Sequence, residues 1–181
     1  MDTPVLLRQV QDGKQSLRFK AAVLAAATTE RPGAARWTEL TVYRTPLADE
    51  EYEPRGMYVV AKVGRSVVAH RPGCEKVHNR LSYDAVRNVS PSHLSYQVPC
   101  LTCQPEMAVL APDTVLERTR HLVLQARTPA DLQKVLLQGR PGSIPADAPP
   151  VGIVAEIIRQ VRRADTDFDR FCHTLDIARS A

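Results

Sequence analysis

The chain has 181 residues, of which 44 % are hydrophobic and 24 % charged, so one sizeable domain, or a domain with a helical appendage, is expected. Its net charge of +4 is modest, and aromatics make up only 5 %, so the core must come mainly from Val, Leu, Ile and Ala. No apolar run approaches the ~20 residues of a membrane-crossing helix, and 21–27 follows a segment too long and polar for a secretory leader, so a cytoplasmic protein with no membrane partner is expected.

In chain order, Asp2-Thr3-Pro4 has the residues of a helix start. The stronger signal is Asp12-Gly13 between two apolar-rich runs, which predicts a hairpin, with Leu17, Phe19, Ala21 and Val23 at strand period. A loop follows over 28–35. Three strands are then predicted at 37–43, 56–63 and 66–70, the last two joined by a tight turn at Gly64-Arg65. The loop over 45–55 holds Asp49, Glu50, Glu51 and Glu53 and reads as solvated surface. A short helical turn capped by Ser82 is expected over 82–86, and a second hairpin from 115–117 and 121–125. Thr128 is placed to cap a helix with Pro129 in its first position, running to about Gln138 and stopping at Gly139.

Residues 139–150 carry four prolines and two glycines and read as a linker. Beyond them Ile153, Val154, Ile157, Ile158 and Val161 share one helical face. A further helix is expected from Asp165-Thr166-Asp167, with Phe168, Phe171, Cys172 and Leu175 on one side. The predicted class is α+β: an antiparallel β meander running into a structural zinc knuckle, followed by C-terminal helices. Its expected parts are a β-rich knuckle domain over 1–138, the linker 139–150, and a helical pair over 151–181.

The knuckle rests on Cys74-x3-His78-x21-Cys100-x2-Cys103, which uses three of four cysteines and one of five histidines. Two ligand pairs separated by a loop-sized insert suit a tetrahedral site, and a three-thiolate, one-imidazole set points to Zn2+. Four protein ligands leave no open position, so the ion would be structural. His70 and His93 are alternatives to His78. Cys172 reads as a small buried hydrophobe and His173 as surface. Between 55 and 103 there are seven basic residues and two acidic ones, an excess larger than that of the whole chain. A basic sector of this kind suits a phosphate-bearing partner.

His70-Arg71-Pro72-Gly73-Cys74, Ala85 and Val98-Pro99-Cys100-Leu101-Thr102-Cys103-Gln104-Pro105 together resemble the zinc domain of Ada-type DNA alkylation-repair proteins. The likeness covers about residues 70–105, roughly a quarter of the chain. It implies a knuckle that contacts DNA phosphates, here through Arg71, Lys76 and Arg80, and whose family uses one zinc thiolate as a methyl acceptor. This chain has His78 where the family has a second cysteine, and a thiolate in a mixed set is a poorer nucleophile. The stretch from Trp37 through Tyr58 to Val68 is also similar to a group of small actinobacterial and phage proteins of unassigned function. An actinobacterial or phage origin agrees with the 19 arginines against five lysines.

The leading expectation is a non-enzymatic regulatory or accessory protein that binds nucleic acid, with Arg65, Arg71, Lys76, Arg80 and Arg87 as phosphate contacts. The alternative is a protein-interaction module or homodimer acting through the helices at 153–177. An enzyme comes third. A metal-dependent nuclease could draw on His70, His78-Asn79 and His93, but no Ser/His/Asp set, phosphate loop or carboxylate pair stands out.

Overall fold

The computed structural model describes residues 4–31, 34, 36–46, 58–69, 74, 85–88, 98–99, 115–138 and 151–180. The predicted hairpin is present. Strand β1 (Leu6–Asp12) pairs antiparallel with β2 (Gln15–Thr28) from Leu6↔Ala21 to Asp12↔Gln15. Gly13 takes the first turn position with φ 60°, a conformation glycine adopts at no steric cost. A two-residue turn makes its flanking pair a hydrogen-bonded one, and the pattern alternates from there. The peptide groups of Leu6, Arg8 and Val10 therefore face β2, and those of Leu7, Gln9 and Gln11 face away.

The remaining strands are β3 (Arg36–Arg44), β4 (Tyr58–Ala69), β5 (Ala85–Asn88), β6 (Val98–Pro99) and β7 (Val115–Ala126). They are ordered β1-β2-β3-β4-β7-β5, with β6 beside β4. Helices α1 (Pro129–Gln138), α2 (Val151–Ala164) and α3 (Thr166–Ser180) follow. The α+β class holds, as a curled antiparallel sheet succeeded by helices.

Three local expectations are corrected. Gly64-Arg65 is not a turn: both lie inside β4, and Gly64 keeps an ordinary strand conformation with open space where a Cβ would be. The valines on both sides of it extend one strand. Residues 115–126 form one long strand, β7, rather than a hairpin, with β4 and β5 as its neighbours in the sheet. Ala85 and Val86, expected in a helical turn, are strand residues paired with Thr119 and Arg118. Ser82–Asp84, the acidic residues 49–53 and the linker 139–150 lie outside the described residues.

The chain divides into two compact units: Met1–Thr28 with Leu40–Lys62 and Leu122–Ala181, and Thr29–Glu39 with Val63–His121. In the first, strand alternation separates two apolar clusters. Val42, Tyr58, Val60, Leu122 and Leu124 pack with Leu132, Leu136, Ile153, Val154, Ile157, Val161, Phe168 and Cys172 of the helices. Phe19, Ala21, Val59 and Val123 form the other, joined by Val10, Leu17 and Tyr43, with Phe19 edge-on to Tyr43 at 5.5 Å. Each large side chain removed from water in this way contributes about 1.5–3 kcal/mol before entropy is charged against it.

Polar contacts set the edges of this unit. The Asp12 carboxylate accepts from the Val123 N–H at 3.1 Å, so the turn end of β1 meets β7 as the sheet curls. The part of β2 beyond Ala21 overhangs β1, and α2 packs on β2, where Gln160 accepts from the Ala26 N–H at 3.0 Å. Helix α1 starts in a capping box: the Asp131 N–H donates to Thr128 Oγ1 at 3.1 Å, and the Thr128 N–H donates back to Asp131 at 3.2 Å.

Asp165 alone joins α2 to α3. Its N–H donates to the Val161 carbonyl at 2.8 Å, and its Oδ1 caps α3 by accepting from the Phe168 N–H at 2.9 Å. Its Oδ2 accepts from Arg44, whose other guanidinium nitrogen donates to Asp167 at 2.8 Å. The Arg44 guanidinium lies 5.9 Å from the Tyr58 ring centre. Tyr58 Oη is fully buried and makes no hydrogen bond of good geometry.

Candidate metal centre and nucleic-acid interface

In the second unit β4 and β6 run parallel, with Val68 beside Val98 and Ala69 beside Pro99. Parallel strands end at the same side, so the chain leaves both at neighbouring points. Cys74 is five residues beyond Ala69, and Cys100 is the residue after Pro99. The segments that carry Cys74 and Cys100 therefore start from neighbouring strand ends.

Cys74 is a free thiol, only 7 % exposed. His78, Cys100 and Cys103, with the alternatives His70 and His93, lie outside the described residues. Among the described residues no group of three or more His, Cys, Asp or Glu is placed to hold a metal.

The only other described cysteine, Cys172, is buried on the inner face of α3. Burial pushes its thiol pKa up, with Arg162 opposing, so it remains a neutral packing group. Its neighbour His173 is exposed, as expected.

Of the five basic residues assigned to phosphate contact, Arg65 is described in full. It stands on β4 with its guanidinium 5.9 Å from the Trp37 ring centre and 4.0 Å from Glu39 on β3. Strand alternation places Trp37 and Glu39 on one face of β3, and Arg65 reaches across to both. Arg65 Nε and Trp37 Nε1 are buried without hydrogen-bond partners, while the Arg65 side chain as a whole is 38 % exposed. The sequence reading missed this pair because it put a chain reversal at Arg65. Arg87 lies in β5 opposite Glu117. Arg71, Lys76 and Arg80 lie outside the described residues.

A shallow groove of about 510 Å³ lies between α2 and α3, lined by Ala155, Ile158, Arg159, Arg162, Arg163 and Asp169. Its charges are largely matched: Arg162 donates to Asp169 at 2.8 Å and to Asp176 at 3.4 Å, and Arg159 pairs with Glu156. It holds no nucleophile–base pair. None of the helices is long and apolar enough to cross a membrane, among the described residues. Compared with known protein families, curated proteins and solved structures, the chain gives no match to any of them.

Proposed function

We propose that this chain is a non-enzymatic, zinc-stabilised regulatory or accessory protein that binds nucleic acid through the basic sector around Cys74. The observation that supports it most is the parallel β4–β6 pair, from whose adjacent ends the segments carrying Cys74/His78 and Cys100/Cys103 depart, together with the buried Cys74. Zinc on these four residues would act as a cross-link between two segments of irregular chain. Its free energy of binding would be folding free energy for that part of the protein. Three thiolates outweigh a zinc dication by one charge, which leaves the sector between 55 and 103 still basic.

Arg65 over Trp37 adds to this reading. An arginine lying on an indole, half open to solvent, is a surface on which a phosphate and a neighbouring base can both be met. Arg71, Lys76, Arg80 and Arg87 supply the remaining positive charge. The resemblance to Ada-type zinc domains points to the same partner class. The helical alternative is weaker, since Ile153, Val154, Ile157, Val161 and Phe168 are consumed by the core of the first unit.

The test has two stages. Protein purified without added metal should carry one zinc per chain, and Cys100→Ser should lose it; a well-folded, metal-free wild type would remove the knuckle. With zinc present, affinity for nucleic acid should fall steeply between low and high salt, and Arg80→Glu should weaken binding to all sequences alike. Affinity that does not change with salt refutes the nucleic-acid reading while leaving the metal site standing.

A further inference from the structure

Among the described residues four large apolar side chains are exposed, and three are consecutive: Val5, Leu6 and Leu7, at 51–53 %, with Leu137 the fourth. Leu6 and Leu7 open β1, with Val5 just before it, and β1 ends the strand order. The hairpin parity turns the peptide groups of Leu7 and Gln9 away from β2, toward the open edge. Nothing on β1 guards that edge. Arg8 folds back to donate from Nε to the Ala21 carbonyl at 3.2 Å, and the Gln9 amide donates to Ser16 Oγ at 2.9 Å. Elsewhere the same unit does protect its edges: Gln160 of α2 closes the overhang of β2, and Asp12 meets β7 at the turn end of β1. The stretch from Val5 to Gln9 combines apolar side chains with peptide groups that, among the described residues, have no partner on this side, the combination that recruits another strand.

We propose that this edge is a homodimer seam, at which β1 of a second copy adds antiparallel with Leu7 on the two-fold axis. Leu7 then faces Leu7 of the second copy, Val5 faces Gln9, and Leu6 faces the stem of Arg8. The outward peptide groups of Val5, Leu7 and Gln9 pair in both directions. A second copy fits better than an unrelated strand because the segment complements itself in this register. Its exposed apolar residues meet at the centre and no like charges stand opposed, whereas a register centred on Arg8 would oppose two guanidiniums. The Asp12 contact at the turn end selects the same half of the strand. The pairing is isologous, so it uses the β1 edge of both copies and leaves no β1 edge to propagate.

The seam is small beside the roughly 1,200–2,000 Å² of durable interfaces, so association should be reversible and concentration-dependent. Sedimentation velocity of the full chain over a wide concentration range should show a monomer–dimer equilibrium. Leu7→Lys, a change at an exposed side chain, should weaken it by about tenfold or more by opposing two charges on the axis, with an unaltered circular dichroism spectrum. Leu137→Lys, on α1, should dimerise like the wild type. Amide exchange at Leu7 and Gln9 should slow as concentration rises. A wild type that stays monomeric throughout, or a dimer indifferent to Leu7→Lys, overturns the proposal.

Discussion

Replacing Asp165 tests how the helical layer is fixed to the sheet. Asp165→Ala removes a helix cap and a charge partner together. The cap, made to the Phe168 N–H at 2.9 Å, is worth about 1 kcal/mol. For the ion pair, truncating one member of a fully buried pair costs about 3–5 kcal/mol, and an exposed pair is worth at most about 1. Here the carboxylate is wholly buried, but Arg44 is 29 % exposed and keeps Asp167, which places the loss between these limits, at about 1–2 kcal/mol. The sum for Asp165→Ala is about 2–3 kcal/mol. Asp165→Asn keeps a good capping residue and gives up only the charge, so it should lie about 1 kcal/mol above Asp165→Ala. Urea unfolding followed by helical circular dichroism reads both. With a slope near ~2 kcal/mol per molar, the alanine variant should shift its midpoint down by about 1–1.5 M. A midpoint equal to that of the wild type, or an asparagine variant no better than alanine, would refute the account of Asp165 as cap and latch.

Two further outcomes are expected. Tyr58→Phe should leave stability unchanged or raise it by up to about 1 kcal/mol, because it deletes a buried hydroxyl lacking a good hydrogen bond; a clear loss in the same urea titration would show that the hydroxyl is paired. Burial and the charge of Asp165 hold that phenol far above its ordinary pKa, so it stays neutral across the accessible pH range. In acid, the hydrogen bonds from Arg44 to Asp167 and from Arg162 to Asp169 hold both carboxyls below the usual range. A depressed folded pKa means their contribution is complete above the unfolded value, near ~3.9, and is lost as pH falls through the folded values. Arg44→Met and Arg162→Met should each flatten the acid limb of the midpoint-against-pH curve, and limbs parallel to the wild type would contradict the assignment.

Features governed by neighbours in sequence were legible in the chain. Asp12-Gly13, the Thr128–Asp131 box and the acidic start of α3 each act within a few residues, and each element begins where those residues put it. Strand length was not legible in that way. Whether β4 continues through Gly64, or β7 through 118–120, depends on what lies beside it, and those partners are remote in sequence. The latch was invisible for the same reason, since Arg44 and Asp165 are separated by 121 positions. For the proposed metal site, spacing gave the candidate ligands, but not the parallel β4–β6 pairing that starts their two segments side by side.

The discontinuity of the first unit bears on how the chain comes off the ribosome. Asp12 to Val123, Ala26 to Gln160 and Arg44 to Asp165 all tie early residues to late ones. Synthesis delivers the early strands first. Ala25, Val42, Tyr58 and Val60 must then wait, apolar and uncovered, while more than a hundred residues separating Arg44 from the α2–α3 corner are made. This unit is therefore completed only when the helices have been made, however quickly the first hairpin closes. In that interval its apolar face is exposed to the kind of association that transiently uncovered sheets undergo.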